Sequence, residues 1–587
     1  MAPAFFKNQT GKDDEKQMAT QLPGTDIVVI GVGWTGGIIA AELTKKGYNV
    51  VGLERGKSQK TEDFLMMHDE LRYASRFDMM HNLAKETITF RNNSNMRALP
   101  MRQYGSFLLG NNLGGAGMHW NGQTYRFLPY DFEIYSKTVE RYGKDKIPQD
   151  MTIQDWGITY DELEPYYDKF EQMCGISGEE NPLGGKRSNP YPTKPMKKSP
   201  AIQLFIDAAK KLNLHPYMMP SANLSENYTN PDNISRPACQ YCGFCERFAC
   251  EYGAKADPVV TVLPVAEKTG KFELRTHSNV TRIVHDGKKA TGVIYIDTQT
   301  GEEFFQPASV VAVTSYALNN VRLLLLSNMG RPYDPVTGRG VIGKNYAYQT
   351  FGGSATGFFK QEFNLFAGAG ALGASLDDFN GDNFDHSDLD FIHGGNMAIS
   401  QTGKRPIANN TVLPGTPSWG KEFKAQSIYY ANRVLSVGAQ GASMPFKHHY
   451  LDLDPTYKDT FGNPLLRITF DFEEQDRKLV EFMGQQAEKI MKEMGAEKLF
   501  ANTKLGPYNI VPYQSTHNTG GVIMGADPET SALNSYLQMW DFENVFVPGA
   551  SAFPHNSGYN PTGTVGALAY RAADGIEKYL KNGGILV

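Results

Sequence analysis

The clearest pattern of apolar and polar positions lies near the start of the chain. Asp26 opens a short apolar run, Ile27-Val28-Val29-Ile30, of the kind buried in a parallel sheet. Residues 38–46 have helical composition, and Gly47 is placed to end that helix. Asn49 to Leu53 is a second apolar run, closing at Glu54. Together these predict one βαβ unit. Later, Phe272–Thr276, Val280–Val284, Gly292–Ile296 and Ser309–Thr314 read as strands, divided by turn signals such as Asp286-Gly287 and Gln299-Thr300-Gly301. Further strands are expected near 434–440 and 465–471, with helices over 473–494 and 563–581. Residues 129–175 read as mostly helical. Residues 176–237, rich in Pro, Asn and Ser, read as irregular.

Composition narrows the class. The chain has 587 residues, 41% hydrophobic and 21% charged, which excludes wholesale disorder. A net charge of −5 argues against nucleic acid as a partner. No 18 consecutive apolar residues occur, so no transmembrane helix is expected. Residues 1–24 read as a polar arm with neither a Sec nor a twin-Arg signal.

Two motifs carry candidate chemistry. Gly31, Gly33 and Gly36 form G-x-G-x-x-G between the first strand and its helix. The first glycine allows the tight turn, the second a close approach of backbone to a pyrophosphate, and the third close helix–strand packing. The helix N-terminus offers N–H groups to phosphate. Glu54 is placed to accept hydrogen bonds from ribose hydroxyls. The second motif is C-x2-C-x2-C-x4-C, formed by Cys239, Cys242, Cys245 and Cys250; only Cys174 lies outside it. Such spacing suits an iron–sulfur cluster. Zinc, which usually spreads its ligand pairs over a longer knuckle, and a disulfide pair are the alternatives. Cys174 reads as a buried apolar thiol. The run Asp377–Asp385 places its glycine wrongly for a calcium loop and reads as a solvated loop. His448-His449 reads as a surface pair, with a pocket position as the alternative.

Several longer stretches carry a resemblance: GVGWTGGIIAAELTKKGYNVVGLERG, NNLGGAGMHWNG, DMTIQDWGITYDELEPYYD, CQYCGFC and HNTGGVIMGADPETSALNSYLQMWDFENVFVPGASAFP. With these the chain resembles the glucose–methanol–choline (GMC) oxidoreductases from about residue 25 onward. More narrowly, it resembles the flavoprotein subunits of bacterial gluconate, sorbitol and fructose dehydrogenases. The resemblance implies an α/β fold, with a Rossmann-like FAD domain and a substrate domain built on an antiparallel sheet. The FAD domain would be discontinuous, taking 25–130, 230–334 and 505–587. Residues 131–229 would be a helical and irregular insertion, and 335–504 the substrate domain.

Site roles follow from the same resemblance. His517 would be the catalytic base and Asn560 its partner on the substrate oxygen. An imidazole with a pKa near 6.5 can take a hydroxyl proton while a hydride leaves for the flavin. Asn560 could also cap the helix that follows. Gly114, Gly115, His119 and Asn121, together with Val280, would contact the cofactor. Gly549 and Ala550, in a second fingerprint at the end of a late strand, and Pro561 and Thr562 would join them. His555 departs from the glutamine expected in relatives; it is set as a candidate substrate contact against a plain loop residue. The cluster would be [3Fe-4S] on Cys239, Cys245 and Cys250, with Cys242 spare; four cysteines also permit [4Fe-4S].

The implied reaction is oxidation of a sugar acid or polyol, best D-gluconate to 2-keto-D-gluconate. Fructose, sorbitol, 2-ketogluconate or a glycoside are alternative substrates, and an electron-transfer flavoprotein is the non-enzyme alternative. The implied partners are a small subunit bearing a twin-Arg signal and a multihaem cytochrome c. They would hold this chain, as a peripheral subunit, at the periplasmic face of the inner membrane, with the cytoplasm as the alternative location.

Overall fold

The computed structural model describes residues 19–65, 70, 79–404 and 410–587. Most of the expected N-terminal arm lies outside these. Its last part, Thr20–Gln21, runs parallel to Phe304–Phe305 at a sheet edge.

The predicted βαβ unit forms as Thr25–Ile30, the helix Trp34–Lys45 and Val50–Leu53. Ile27, Val28 and Val29 are fully buried: Ile27 and Val29 pack with Ile38, Ile39 and Leu43 of the helix, and Val28 lies in a separate core on the other face. These two strands sit in an eight-stranded sheet. The path runs Ser278–His285, Ala290–Asp297, Glu303–Val313, Thr25–Ile30, Val50–Leu53, Phe272–Arg275. Glu303–Val313 serves two halves. Its first half pairs antiparallel with Ala290–Asp297, its second parallel with Thr25–Ile30. The sequence predicts only Ser309–Thr314 here, and the strand starts six residues earlier, at Glu303. In the strand, Pro307 stands opposite Gly292 where the antiparallel half ends.

The second sheet is antiparallel throughout, in the order Lys498–Asn502, Thr350–Phe358, Val434–Gly441, Gly395–Ser400, Gly373–Leu376, Tyr217–Met218. The helix Glu474–Glu493 covers it with Leu479, Val480, Met483, Ala487, Ile490 and Met491. A bulge between Gly352 and Ser354 interrupts the central strand pair. Two strands from the 335–504 stretch do not join this sheet. Tyr450–Lys458 pairs with Pro464–Thr469, and the latter runs parallel to Ile88–Arg91. The fold is mixed α/β, with a Rossmann-like half and an antiparallel substrate half.

Two expectations for irregular segments need correction. The stretch 176–237 contains a helix, Pro200–Lys211, started by Ser199, whose hydroxyl accepts from Ile202 N at 3.3 Å. Ala201, Ile202, Phe205, Ile206, Ala208 and Ala209 form its buried face. Asp377, expected in a solvated loop, is fully buried. Its carboxylate accepts from Tyr217 Oη at 2.6 Å, Asn181 Nδ2 at 2.7 Å, Asn380 Nδ2 at 2.8 Å and Asn396 Nδ2 at 3.0 Å. Four donors replace the water it was expected to meet.

Candidate active site

One cleft of ≈ 480 Å³ runs between the two halves. At one end lie Gly31, Gly33, Glu54 and Arg55; at the other lie His517, Asn560, Phe351 and Gln440.

The first end is shaped by the fingerprint glycines. Gly31 has φ +88°, and a Cβ there would lie 2.8 Å from Ser315 Cα. Gly36 faces inward, where a Cβ would lie 2.2 Å from Gly31 O; it packs the helix on the strand and does not line the cleft. Gly33 faces the cleft, with its nearest neighbour 3.7 Å away. The helix that follows has neither a side-chain cap nor an acidic residue in its first turn. Its N–H groups and dipole are directed at the cleft, which suits an anionic group. Glu54 accepts from Val32 N at 3.0 Å and Gly56 N at 2.9 Å, and burial pushes its pKa up. Each carboxylate oxygen retains a lone pair for a further donor.

The loop 114–121 forms one wall. Gly114, at φ +85°, turns it and donates to Val32 O at 2.9 Å, while Gly115, His119 and Asn121 line the cleft. His119 is buried, and its Nδ1 has no partner among the described residues. Burial, with the Lys255 charge beside it, pulls its pKa down to about 3. Val280, Gly549, Ala550, Pro561 and Thr562 complete the lining. An uncapped helix, an open glycine and an imidazole with a free Nδ1 fit a dinucleotide such as FAD along this wall.

At the other end, His517 and Asn560 meet. Asn560 Nδ2 lies 3.4 Å from His517 Nε2, and Asn560 Oδ1 accepts from Gln440 Nε2 at 3.0 Å. The helix Thr562–Asn582 has Pro561 as its N-cap, so the Asn560 side chain is spent on the cleft and not on capping. His517 Nδ1 is hydrogen-bonded to Gln349 Oε1. Burial pulls the His517 pKa down to about 3, which keeps the ring neutral at ordinary pH.

His555 was a candidate substrate contact, and the structure corrects this. It is fully buried and does not line the cleft. Its Nε2 donates to Asp131 Oδ1 at 3.2 Å, and its Nδ1 accepts from Trp156 Nε1 at 3.4 Å. Asp131 Oδ1 also pairs with His393 Nε2 at 2.7 Å. These three ligand-type groups lie within 4.8 Å of one another. Their nitrogens already donate to the carboxylate, so the trio reads as a hydrogen-bonded core joint. His448 and His449 lie outside the cleft and both bond Glu473, at 2.7 and 3.0 Å; His449 is buried, His448 exposed.

The cysteines lie behind the 114–121 loop. Lys255, fully buried, has four carbonyls within hydrogen-bond distance of its Nζ, to be shared among its three N–H groups: Met118 at 3.2 Å, Trp120 at 2.7 Å, Cys245 at 2.9 Å and Phe248 at 2.8 Å. Arg247 N donates to His119 O at 2.8 Å. A Cβ on Gly370 would strike both Asn121 O, at 2.0 Å, and Cys245 Cβ, at 2.7 Å. The cofactor loop and the cysteine loop are thus stitched together. All five cysteines are free, and Cys174 is buried in an apolar core as expected. Burial lifts Cys239 to about 12 and Cys242 to about 11, so as bare thiols they are inert. Among the described residues no three cysteine sulfurs lie within 4.8 Å of one another. A zinc ion would draw its sulfurs closer, to roughly 3.8 Å, given Zn–S bonds near 2.3 Å. A multi-iron cluster binds each thiolate through a different iron and holds them farther apart.

Gln349 and Gln440 were not identified from the sequence. Gln440 lies on the strand Val434–Gly441 and Gln349 just before its neighbour Thr350–Phe358, in which Phe351 stands opposite Gln440. No local motif marks either one.

Residues 149–350 and 445–569 match the two signatures described as GMC oxidoreductase. The chain is 43% identical to the gluconate 2-dehydrogenase flavoprotein of Pantoea cypripedii, over 97% of this chain and 96% of that protein. It is 26% identical to the fructose dehydrogenase large subunit of Gluconobacter japonicus, over 96% of this chain and 100% of that protein. A solved pyridoxine 4-oxidase, from "Mesorbium loti", superposes with a TM-score of 0.58 at 16% identity, over 94% of this chain and 99% of that one. At that identity it speaks for the fold alone.

Proposed function

The chain belongs to the GMC oxidoreductase family, FAD-dependent enzymes acting on CH–OH donors, and from that premise we propose that it oxidises a sugar acid or polyol, with D-gluconate to 2-keto-D-gluconate the leading reaction. The observation that carries the site assignment is the convergence of His517 Nε2 and Asn560 Nδ2 at the end of the cleft opposite the glycine fingerprint. Gluconate is favoured by the 43% identity to a gluconate 2-dehydrogenase flavoprotein.

When bound, FAD supplies the hydride acceptor. Gly31 and Gly33, with the N-terminus of the helix Trp34–Lys45, would hold its pyrophosphate, and Glu54 its ribose. Val280, on the strand whose Ser278 N–H bonds Glu54 O at 2.9 Å, would lie on the Glu54 side, and His119, Asn121, Gly549, Ala550, Pro561 and Thr562 would line the rest of the cofactor. His517 Nε2 takes the proton of the substrate hydroxyl. Asn560 holds the same oxygen through its amide N–H, which orients the C–H bond and adds no competing base. The contact of 3.4 Å between them is long, and a substrate hydroxyl replaces it.

Electrons are proposed to leave through an iron–sulfur cluster on the 239–250 loop. Cys239, Cys245 and Cys250 serve a [3Fe-4S] centre, with Cys242 as spare or as fourth ligand. What supports this is the cysteine spacing and the Lys255 junction that sets those cysteines against the cofactor loop. A two-electron flavin beside a one-electron centre suits a dehydrogenase feeding a cytochrome c. A subunit of that kind, with a small twin-Arg-bearing partner, would hold the enzyme at the periplasmic face. Among the described residues no helix is long and apolar enough to cross a membrane.

The test is the purified, flavin-loaded chain offered gluconate, sorbitol, fructose and 2-ketogluconate without oxygen, with iron and acid-labile sulfide measured on the same sample. Flavin bleaching fastest with gluconate, with three or four irons per chain, supports the proposal. Bleaching by none of these substrates contradicts the substrate class, and an iron-free preparation made under iron-replete, anaerobic conditions contradicts the cluster.

A further inference from the structure

We infer that Gln349 is a positioning residue that fixes the tautomer of His517 and, through it, the orientation of Asn560 and Gln440. This rests on the proposed role of His517 as base and adds what makes one ring nitrogen the base.

Two backbone carbonyls fix the orientation of the Gln349 amide. Gln349 is fully buried just before the strand Thr350–Phe358. One end of its amide lies 3.3 Å from Ser557 O and 3.1 Å from Tyr559 O. Carbonyl oxygens only accept, so the amide nitrogen must be at that end. The amide oxygen therefore faces His517 Nδ1. That oxygen also only accepts, so Nδ1 must carry the proton. In a neutral imidazole the lone pair then sits on Nε2, the nitrogen nearest Asn560. Facing a lone pair, Asn560 must present its Nδ2 hydrogens, as the 3.4 Å contact has it. Its Oδ1 then points at Gln440, which must donate, as the 3.0 Å contact has it. The orientations of four side chains thus follow from two carbonyls on the segment that leads to Asn560.

The geometry of the strands delivers this arrangement. Gln440 lies on the strand Val434–Gly441, and Gln349 immediately precedes the antiparallel strand paired with it, where Thr350 stands opposite Gly441 and Phe351 opposite Gln440. The substrate half therefore does more than cover the cleft: the residue that leads into its strand Thr350–Phe358 sets the protonation pattern of the base. Among the described residues, no charged side chain has a hydrogen bond or ion pair to His517. The only shift acting on its ring is burial. A neutral amide at Nδ1 holds the tautomer without stabilising the imidazolium as a carboxylate would.

The experiment measures flavin reduction by substrate across pH in flavin-replete enzyme: wild type, Gln349→Met, Gln349→Glu and His517→Asn. Gln349→Met keeps the volume and removes the acceptor; the rate of flavin reduction should fall by about 10²-fold, the scale of losing a correctly presented base, with KM changed less than about threefold. Gln349→Glu places a carboxyl against Nδ1, and the acid limb of the pH profile should move to higher pH by at least about one unit. Should Gln349→Met lose its flavin, the direction of the Gln349→Glu limb decides alone. Wild-type rates and an unmoved acid limb in both Gln349 variants would overturn the inference. His517→Asn separates the two claims: if it keeps the wild-type rate, the assignment of the base has failed, whatever the Gln349 variants do.

Discussion

His517 and His555 lie on the same C-terminal stretch, and burial drives the pKa of both downward. They differ in what their nitrogens meet. His517 has a neutral amide at Nδ1 and a weak contact at Nε2, on a cleft wall. His555 has an indole N–H at Nδ1 and a buried carboxylate at Nε2, in solid core. The first keeps a basic nitrogen open to a ligand, whereas the second has spent both nitrogens on holding three segments together. Burial alone therefore does not mark a catalytic histidine. What marks it is an unspent nitrogen facing a cavity.

This contrast can be broken in four places, taken from the largest effect down. Replacing Asp131 with Ala removes the acceptor shared by two buried imidazoles. At ~1–3 kcal/mol for each orphaned donor, stability should fall by about 3 kcal/mol or more in a denaturant titration. A variant as stable as wild type would show that the joint bears no load. His517→Ala should retain FAD and lose kcat by at least ~10²-fold, or about 2.7 kcal/mol of barrier. His555→Gln should do the reverse, losing ~1–2 kcal/mol of stability while kcat stays within about threefold. A catalytic collapse in a folded, flavin-replete His555→Gln would erase the distinction. The smallest effect is in pH. Because burial lowers the His517 pKa to about 3, its base form persists on acidification. The acid limb of kcat/KM should therefore lie below pH 6.5, the position of an unperturbed imidazole. A limb at or above 6.5 would place a charged partner beside the ring.

The cysteine loop offers a second contrast with the cleft. Cys245→Ser should spare bleaching of the flavin by substrate and abolish onward reduction of a cytochrome c. Equal survival of both rates would take the cluster off the electron path.

The legible parts of the molecule were those encoded locally. The glycine fingerprint announced the βαβ unit because each glycine answers a steric demand within a few residues of itself, such as the turn at Gly31 or the contact of Gly36 with Gly31 O. The helix Pro200–Lys211 has local signals too, a Ser199-Pro200 start and helical apolar spacing, but they sit in Pro- and Asn-rich surroundings that read as irregular. His555 lies five residues before Asn560 yet faces the core, because side-chain direction in an irregular segment follows no period. Gln349 and Gln440 were beyond reach for a different reason. Gln349 is 168 residues from His517 and Gln440 is 120 from Asn560, and only the pairing of two strands brings them there.

The most direct test of the account follows absorbance of the bound flavin after anaerobic mixing with substrate, comparing wild type, His517→Ala and His555→Gln under one set of conditions. The account predicts rapid bleaching in wild type and His555→Gln, and bleaching at least ~10²-fold slower in flavin-replete His517→Ala. Equal bleaching in wild type and His517→Ala would contradict it.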